Sequence, residues 1–292
     1  MDDVPENGRS MRYREHRVPP PLDACVECVW LLNVTPGEGA EPVQQILPDG
    51  CIEIVFHFAD RFSAVSSGRL RTPQPASFIV GMLTSPFVVA PAARADTMGV
   101  RFRPGGAYPF VSCPLTLLKD RALSLDELWG PGSRGLWEQL AEAPTDAARV
   151  DLISRALLER LVRARLDRVI DSATSDLVKT AGRASITRIA AGAGVTPRHL
   201  QRRFGDLVGV APKMLARILR FQNTLRHRGA GAKTVDWAHV ASACGFADQS
   251  HLIRDYAAFA GETPVSLLAA EGELSAYFTA PQRLDALFAD RL

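Results

Sequence analysis

The sequence predicts an α+β protein, with a β-rich N-terminal domain followed by an all-α domain. Three observations lead to this prediction. Residues 24–104 carry short runs of β-branched and aromatic residues broken by Gly and Pro. After residue 105 the apolar residues take a helical spacing. In the helical part, the stretch 189–204 recurs as 240–256.

Length and charge limit the possibilities. The chain has 292 residues, 47% of them hydrophobic, which predicts about two domains with packed cores. The formal net charge is only +2, but residues 179–254 hold 13 Lys/Arg and 3 Asp/Glu. A basic block inside a near-neutral chain indicates an anionic partner for that block.

The strands are predicted from alternation. Residues 1–20 are expected to be irregular. In CIEIVFHF (51–58) the residues Ile52, Ile54, Phe56 and Phe58 share one face of a strand. Turn sequences such as LPDG and RPGG separate the runs, so we expect a small, mostly antiparallel β domain.

Helices are predicted after the strands. PLTLLKD and SLDELWG indicate two short helices, and residues 146–166 indicate one long amphipathic helix. Its apolar positions are Val150, Ile153, Leu157, Leu158, Leu161 and Val162. Two interpretations stay open: a connector or dimer surface, or a helix packed on its own β domain.

The helical part contains a repeat. IAAGAGVTPRHLQRRF aligns with VASACGFADQSHLIRDY, and Gly194 matches Gly245. Two copies are too few for a solenoid, which needs at least about three. We therefore predict a unit of helix, tight turn and helix that is used twice.

The second helix of each unit has the chemistry of a recognition helix. Thr196 with Pro197, and Asp248 in the second copy, favour helix starts. For Asp248 the alternative is a contact to cytosine. Arg pairs with guanine and Gln with adenine in the major groove. The outward residues are Arg198, His199, Gln201 and Arg202 in the first copy and Gln249, Ser250, His251 and Arg254 in the second.

Residues 175–270 resemble the double helix-turn-helix domain of the AraC/XylS family of bacterial transcription regulators. The resemblance rests on residues 195–224 and 243–264, above all on the Gly-Phe, DQSH and Gly-x-Thr-Pro of the second stretch. It implies two recognition helices in successive major grooves, joined by a linker helix at 212–226. The base contacts it implies are Arg198, Gln201, Arg202, Gln249, Ser250, His251 and Arg254.

The N-terminal half resembles the regulatory domain on one branch of the same family. The matching stretches are VECVW, LPDGCIEIVFHF and GVRFRPGGA. The resemblance implies a β-rich, cupin-like domain that senses a small-molecule effector or mediates dimers.

Candidate effector ligands in this half are His57, Arg101 and Arg103. For the two arginines the alternative is pairing with Asp49 or Glu53 on a structural face. For His57 the alternative is a hydrogen-bonded polar residue, because a cupin metal site needs two or three histidines close together.

The five cysteines are predicted to be reduced thiols, since their number is odd and their spacing sparse. No catalytic residue, metal or cofactor is predicted. A second hypothesis is a cysteine-dependent DNA-repair or redox-sensing protein that uses the helical domain for targeting. Its reactive residue would be Cys25, Cys28 or Cys51.

The predicted organisation has four segments: a β-rich effector domain at 1–130, a helical connector at 131–172, a double helix-turn-helix at 173–275 and a tail at 276–292. No apolar run is long enough to cross a bilayer, and the N-terminus is acidic and polar, so we expect a cytoplasmic protein. Expected partners are double-stranded DNA, RNA polymerase, a small-molecule effector and a second copy of the chain.

Overall fold

The computed structural model describes residues 10–35, 43–66, 70–227 and 235–269. The predicted tail at 276–292 lies outside the described residues. Ten strands come first: β1 Met11–His16, β2 Val26–Val34, β3 Gln44–Ile46, β4 Glu53–His57, β5 Ser63–Val65, β6 Arg71–Pro73, β7 Ser77–Val80, β8 Phe87–Ala90, β9 Ala95–Phe102 and β10 Ala122–Ser124.

The strands form two sheets. The larger has the order β1-β2-β9-β4-β7-β10 and the smaller the order β3-β8-β5-β6. Every strand pair within the described residues is antiparallel. The predicted β-rich antiparallel domain is therefore confirmed.

The larger sheet is covered on both faces. Ile52, Ile54 and Phe56 are buried in the core that the helices share, and Phe58 packs against its edge. This confirms the predicted alternation. The opposite face, including Val55, belongs to a second apolar cluster beside the smaller sheet. Because β4 is buried on both faces, apolar residues such as Ile54 and Val55 occupy both of its faces.

Two strands were not predicted. The region 1–20 was expected to be irregular, but β1 pairs with β2 along its whole length. Its sequence MRYREH is mostly polar because it is an edge strand, and only Met11 and Tyr13 pack on the second cluster. β10 adds three residues to the other edge.

Ten helices follow the strands in the described residues: α1 Leu125–Trp129, α2 Gly132–Glu142, α3 Asp146–Leu161, α4 Arg168–Lys179, α5 Ile186–Gly192, α6 Pro197–Val208, α7 Pro212–His227, α8 Trp237–Ala243, α9 Gln249–Ala260 and α10 Pro264–Ala269. Helix α2 was not predicted as a separate element, although it lies within the segment 131–172 that was expected to be helical. PLTLLKD forms a 3-10 helix, Leu115–Leu118, and SLDELWG forms α1.

Helix α3 packs on the β-rich part. Ile153 and Leu157 are fully buried, and Arg149 holds Asp96 of β9 with two hydrogen bonds of 2.8 and 2.9 Å. The structure thus shows the packing on the β domain that the second interpretation predicts, and the connector or dimer surface stays a prediction. The helix ends at Leu161, five residues earlier than predicted, and Val162 is 84% exposed.

The β-rich part and the C-terminal helices share one apolar core. The LPDG turn contacts α7: Gln222 Nε2 donates to the backbone oxygen of Pro48 at 2.7 Å. Gly50 has a φ of 86°, and a Cβ atom there would lie 3.2 Å from Leu215 Cδ1. The left-handed backbone of the turn favours glycine, and its close approach to the helix leaves little room for a side chain.

No described helix combines the length and apolar character required to cross a membrane.

Candidate nucleic-acid interface and inner cavity

The first helix-turn-helix unit consists of α5 and α6. The Thr196 hydroxyl accepts a hydrogen bond from the His199 backbone N–H at 3.2 Å, and Pro197 takes the first helical position. Gly194, in the turn, has a φ of 68°, a left-handed conformation that favours glycine. The predicted turn and helix start are confirmed.

The second unit consists of α8 and α9. Asp248 Oδ1 accepts from the His251 backbone N–H at 2.6 Å, so its side chain serves as the predicted N-cap. Gly245 has a φ of 78°, and a Cβ atom there would lie 2.8 Å from Arg183 Cγ. The left-handed backbone conformation favours glycine at this turn, and a side chain there would displace that of Arg183.

Buried anchors fix the orientation of both second helices. Leu200 and Phe204 of α6 are fully buried, as are Leu252 and Tyr256 of α9. Tyr256 also forms a hydrogen bond of 2.8 Å between its hydroxyl and Thr224 Oγ1. Because these anchors face inward, the opposite side of each helix faces solvent.

Six of the seven predicted base-contact residues are exposed on these helices: Arg198, Gln201, Arg202, Gln249, Ser250 and Arg254. The seventh, His251, is partly buried, and its ring packs edge-on against Phe246 at a centroid distance of 5.3 Å. His251 therefore has a packing role that the sequence pattern did not indicate.

Helix α7 joins the two units and is buried along most of its length. Arg217 of α7 binds Asp255 of α9 with an Nη2–Oδ1 distance of 2.7 Å. Asp255 is 2% exposed, so this ion pair lies at the packed junction of the two helices. Such a buried pair favours one orientation of α9 on α7.

Part of the basic block serves the fold. Arg203 pairs with Asp167, and Arg220 Nη1 donates to the Gly182 carbonyl at 2.7 Å. The sequence count therefore overstates the positive charge available to a partner. The sequence analysis gave Arg188 no role, although this residue is exposed on α5. Its position outside the stripe of Ile186 and Ile189 is the sequence feature that marks it as solvent-facing.

The two caps give a testable prediction. Thr196→Ala and Asp248→Ala each remove the acceptor of a helix N-cap, so each is expected to lower the free energy of unfolding by about 1 kcal/mol. Urea unfolding of the full chain measures the change. Thr187→Ala, at an exposed position inside α5, is the control and should not destabilise. Equal effects at all three positions would contradict the capping role.

A cavity of about 100 Å³ lies within the β-rich part. Residues of both sheets line it, including Trp30, Val55 and Phe78 of the larger sheet and Val89 of the smaller one. The predicted effector residues His57 and Arg101 also reach its wall, whereas Arg103 does not.

Arg101 is held by three carboxylates. It is 4% exposed at its side chain and binds Glu27 at 3.1 Å, Glu53 at 2.6 Å and Asp49. Burial by itself would lower the pKa of the guanidinium, but these carboxylates raise it well above its usual value. The structural alternative from the sequence is thus the one observed for Arg101, because each of its three guanidinium nitrogens donates to a carboxylate.

Arg103 lies elsewhere. It follows β9 and its Nε donates to the Asp23 backbone oxygen at 2.8 Å. Its side chain lines a separate cleft between the β-rich part and α4, together with Arg17, Asp171 and Thr174. The structure therefore separates Arg103 from the two residues with which it was grouped.

His57 is 2% exposed and hydrogen-bonded at both ring nitrogens. Nε2 lies 3.0 Å from Gln74 Oε1, and Nδ1 lies 3.1 Å from Thr97 Oγ1. Because the amide oxygen can only accept, Nε2 carries the proton and Nδ1 accepts from the threonine hydroxyl. Burial lowers the pKa of His57 from 6.5 to about 4, which keeps the ring neutral at neutral pH.

This lowered pKa predicts how stability depends on pH. Above pH 6.5 the ring is neutral in both states and the contribution is complete. As the pH falls from 6.5 towards 4, the unfolded chain binds a proton that folded His57 does not, which costs up to about 3 kcal/mol. Urea unfolding of wild type and His57→Gln across this range measures it. The variant should show the shallower profile, and parallel profiles would contradict the assignment.

The larger sheet separates Cys25 from Cys28. Cys25 belongs to the core shared with the helices, and Cys28 to the cluster on the opposite face. Burial raises the pKa of the Cys51 thiol well above its usual value; Arg101 opposes this and nearby carboxylates add to it. Such a thiol is a poor nucleophile, because the thiolate is the reactive form. In the described residues no group of three or more Cys, His, Asp or Glu is placed to hold a metal ion.

Two family matches cover most of the chain. Residues 14–124 match a domain of unknown function (DUF6597), and residues 189–270 match a helix-turn-helix domain. A comparison with curated proteins found no match. The family match at 189–270 covers both units described above.

Solved structures with a similar arrangement are remote in sequence. ToxT from Vibrio cholerae in its P21 form has a TM-score of 0.45 and 9% identity, covering 89% of this chain and 98% of ToxT. ToxT from the same organism with a bound unsaturated fatty acid has a TM-score of 0.42 and 12% identity, covering 92% and 100%. The AraC-like transcriptional activator CuxR has a TM-score of 0.31 and 16% identity, covering 80% and 86%. At these scores the likeness decides neither ligand nor mechanism.

Proposed function

We propose that this chain is a DNA-binding transcription regulator of the AraC type, supported by the helix-turn-helix match at 189–270. In this proposal α6 and α9 read two neighbouring major-groove segments of one duplex. The observation that carries the proposal is the duplication of one geometry. Each unit has a glycine turn, a side-chain cap and a helix whose buried anchors leave Arg and Gln on the outer face.

The chemistry of the exposed residues suits base edges. Arg202 and Arg254 carry two-pronged donors that match guanine O6 and N7, and Gln201 and Gln249 carry amides that match adenine. Arg198 and Ser250 complete the reading surface, with His251 contributing from its partly buried position. Arg188, on the first helix of its unit, is placed to meet phosphate, because that helix crosses the DNA backbone.

The rest of the assignment concerns regulation. We assign residues 1–130 to effector control and 173–275 to DNA binding, in a homodimer that acts in the cytoplasm and alters promoter recognition by RNA polymerase. The chain acts by binding alone, without catalysis. The inner cavity of the β-rich part supports effector control, and the buried contacts of α3 leave its exposed side available for a second copy.

Selection of bound sequences from a random duplex library, with the full chain, tests the DNA assignment. We expect an asymmetric motif of two short blocks about ten base pairs apart, the spacing of adjacent major grooves. A single block would show that only one unit reads bases. Salt-sensitive binding without any enriched motif would contradict sequence-specific recognition.

A further inference from the structure

The cavity between the sheets has an apolar wall and few polar groups. Trp30, Phe62, Phe78, Phe87 and Val89 supply large apolar surfaces around it. Its volume of about 100 Å³ is of the order of an engineered cavity of about 150 Å³ that binds benzene. The space therefore suits one small ring or a short branched chain.

Its basic groups are already engaged by neighbouring side chains. Of the described lining residues, Arg101 and His57 are the basic ones. Arg101 binds three carboxylates, of which Asp49 and Glu53 also line the cavity, so the one cation and two anions on this wall sum to a formal charge of −1. His57 is hydrogen-bonded at both ring nitrogens. A ligand finds no available cation on this wall.

These properties discriminate between ligand classes. A carboxylate or phosphate would lose its hydration and meet net negative charge. An ammonium ion would also lose its hydration, and it would have to share Asp49 and Glu53 with Arg101. An uncharged apolar molecule has no charge to dehydrate and meets no repulsion, and burying its apolar surface favours binding.

We infer that this cavity binds a small, uncharged, mainly apolar molecule of about the size of a benzene ring. The inference rests on the proposed function, since that molecule would be the effector of the regulator.

The cavity wall also touches the DNA-binding domain. In the segment 47–51, Leu47, Asp49 and Cys51 line the cavity, whereas the intervening Pro48 and Gly50 face α7. A displacement of the side chains that line the cavity therefore moves the backbone of this segment, which contacts α7 at Pro48 and Gly50. Because α7 joins the two units, pressure on it changes the relative placement of α6 and α9.

A second contact follows the same alternation. Ile46 and Phe87 line the cavity, and their neighbours Gln45 and Pro86 reach the end of α9. Gln45 Nε2 donates to the Ala260 backbone oxygen at 2.9 Å. A ligand in the cavity would thus displace two separate segments, one that contacts the linker helix α7 and one that contacts the end of the second recognition helix α9.

Three ring probes of similar shape test the ligand class: toluene, benzylammonium and benzoate. At several times its Kd, toluene should raise the Tm of the full chain by about 2 °C or more, and benzoate should leave it unchanged. An equal or larger rise with benzoate or benzylammonium would overturn the uncharged class. No rise with any probe would overturn the site.

Two variants locate the effect. Val89→Phe places a ring in the cavity and should abolish the toluene shift. Gln222→Met, outside the cavity, removes the hydrogen bond to Pro48 and should keep that shift. Toluene should change the affinity of wild type for the selected duplex at least threefold, and this change should shrink in Gln222→Met. A toluene shift that persists in Val89→Phe would place the ligand elsewhere and overturn the assignment.

The two proposals fail separately. If the selection recovers a DNA motif but no probe raises the Tm, only the ligand inference is rejected. Probe binding without any selected motif rejects sequence-specific DNA recognition and leaves the cavity assignment standing.

Discussion

Replacing Arg101 by methionine is expected to lower the free energy of unfolding by about 3–5 kcal/mol, the range seen when one partner of a buried ion pair is removed. The physical reason is the charge that remains. Glu27, Asp49 and Glu53 are only 11–17% exposed at their side chains and surround the guanidinium. Without it they repel one another in a poorly hydrated site. Urea unfolding of the full chain at pH 7 measures the loss.

The same cluster provides the control. Adding Glu53→Gln to Arg101→Met removes one of the stranded charges and should recover part of the lost stability, although Glu53→Gln alone should destabilise. This sign reversal in a double-mutant cycle identifies the electrostatic origin. A loss below about 1 kcal/mol for Arg101→Met would show that the cluster is well hydrated.

Replacing both Arg202 and Arg254 by alanine is expected to weaken binding to the selected duplex by roughly 2–6 kcal/mol, at about 1–3 kcal/mol for each lost base contact. The two residues lie in different units, so their effects should add. Titration of labelled duplex at fixed salt measures the loss. Binding to a scrambled duplex should fall much less, because base contacts carry the specificity.

Arg134→Ala is the matched control. Arg134 is 80% exposed at its side chain on α2 and pairs only loosely with Glu138 at 3.4 Å. Its removal takes away the same charge outside the proposed interface and should leave both affinities nearly unchanged. If the double variant bound the selected duplex as wild type does, the proposed reading helices would be wrong.

Local rules predicted the helix-turn-helix units well. The glycine turns at Gly194 and Gly245, the caps at Thr196 and Asp248 and the inward anchors all follow from short-range chemistry that is visible in the sequence. The duplication reinforced each assignment, since two copies had to fit one geometry. The reading residues stay a prediction, because exposure alone does not show what a side chain contacts.

Long-range pairing accounts for what was missed. The edge strand β1 has a polar pattern and becomes a strand only because β2 offers it a partner. Arg101 meets Glu27 and the nearby pair Asp49 and Glu53 from distant parts of the chain, so spacing along the sequence could not choose between ligand binding and ion pairing. The inner cavity likewise depends on how two sheets stack, which no local pattern encodes.

The shared core limits how this protein can be recombined. Gly50 lies against Leu215. Gly209, which follows the end of α6, lies against the backbone oxygen of Leu115. A chimera that joined this β-rich part to another regulator's helices would present those surfaces to the wrong shapes. The two parts are therefore expected to be inherited together, with changes in the 47–50 turn matched by changes in α7. A lineage that exchanged one part freely would first have had to lose these contacts.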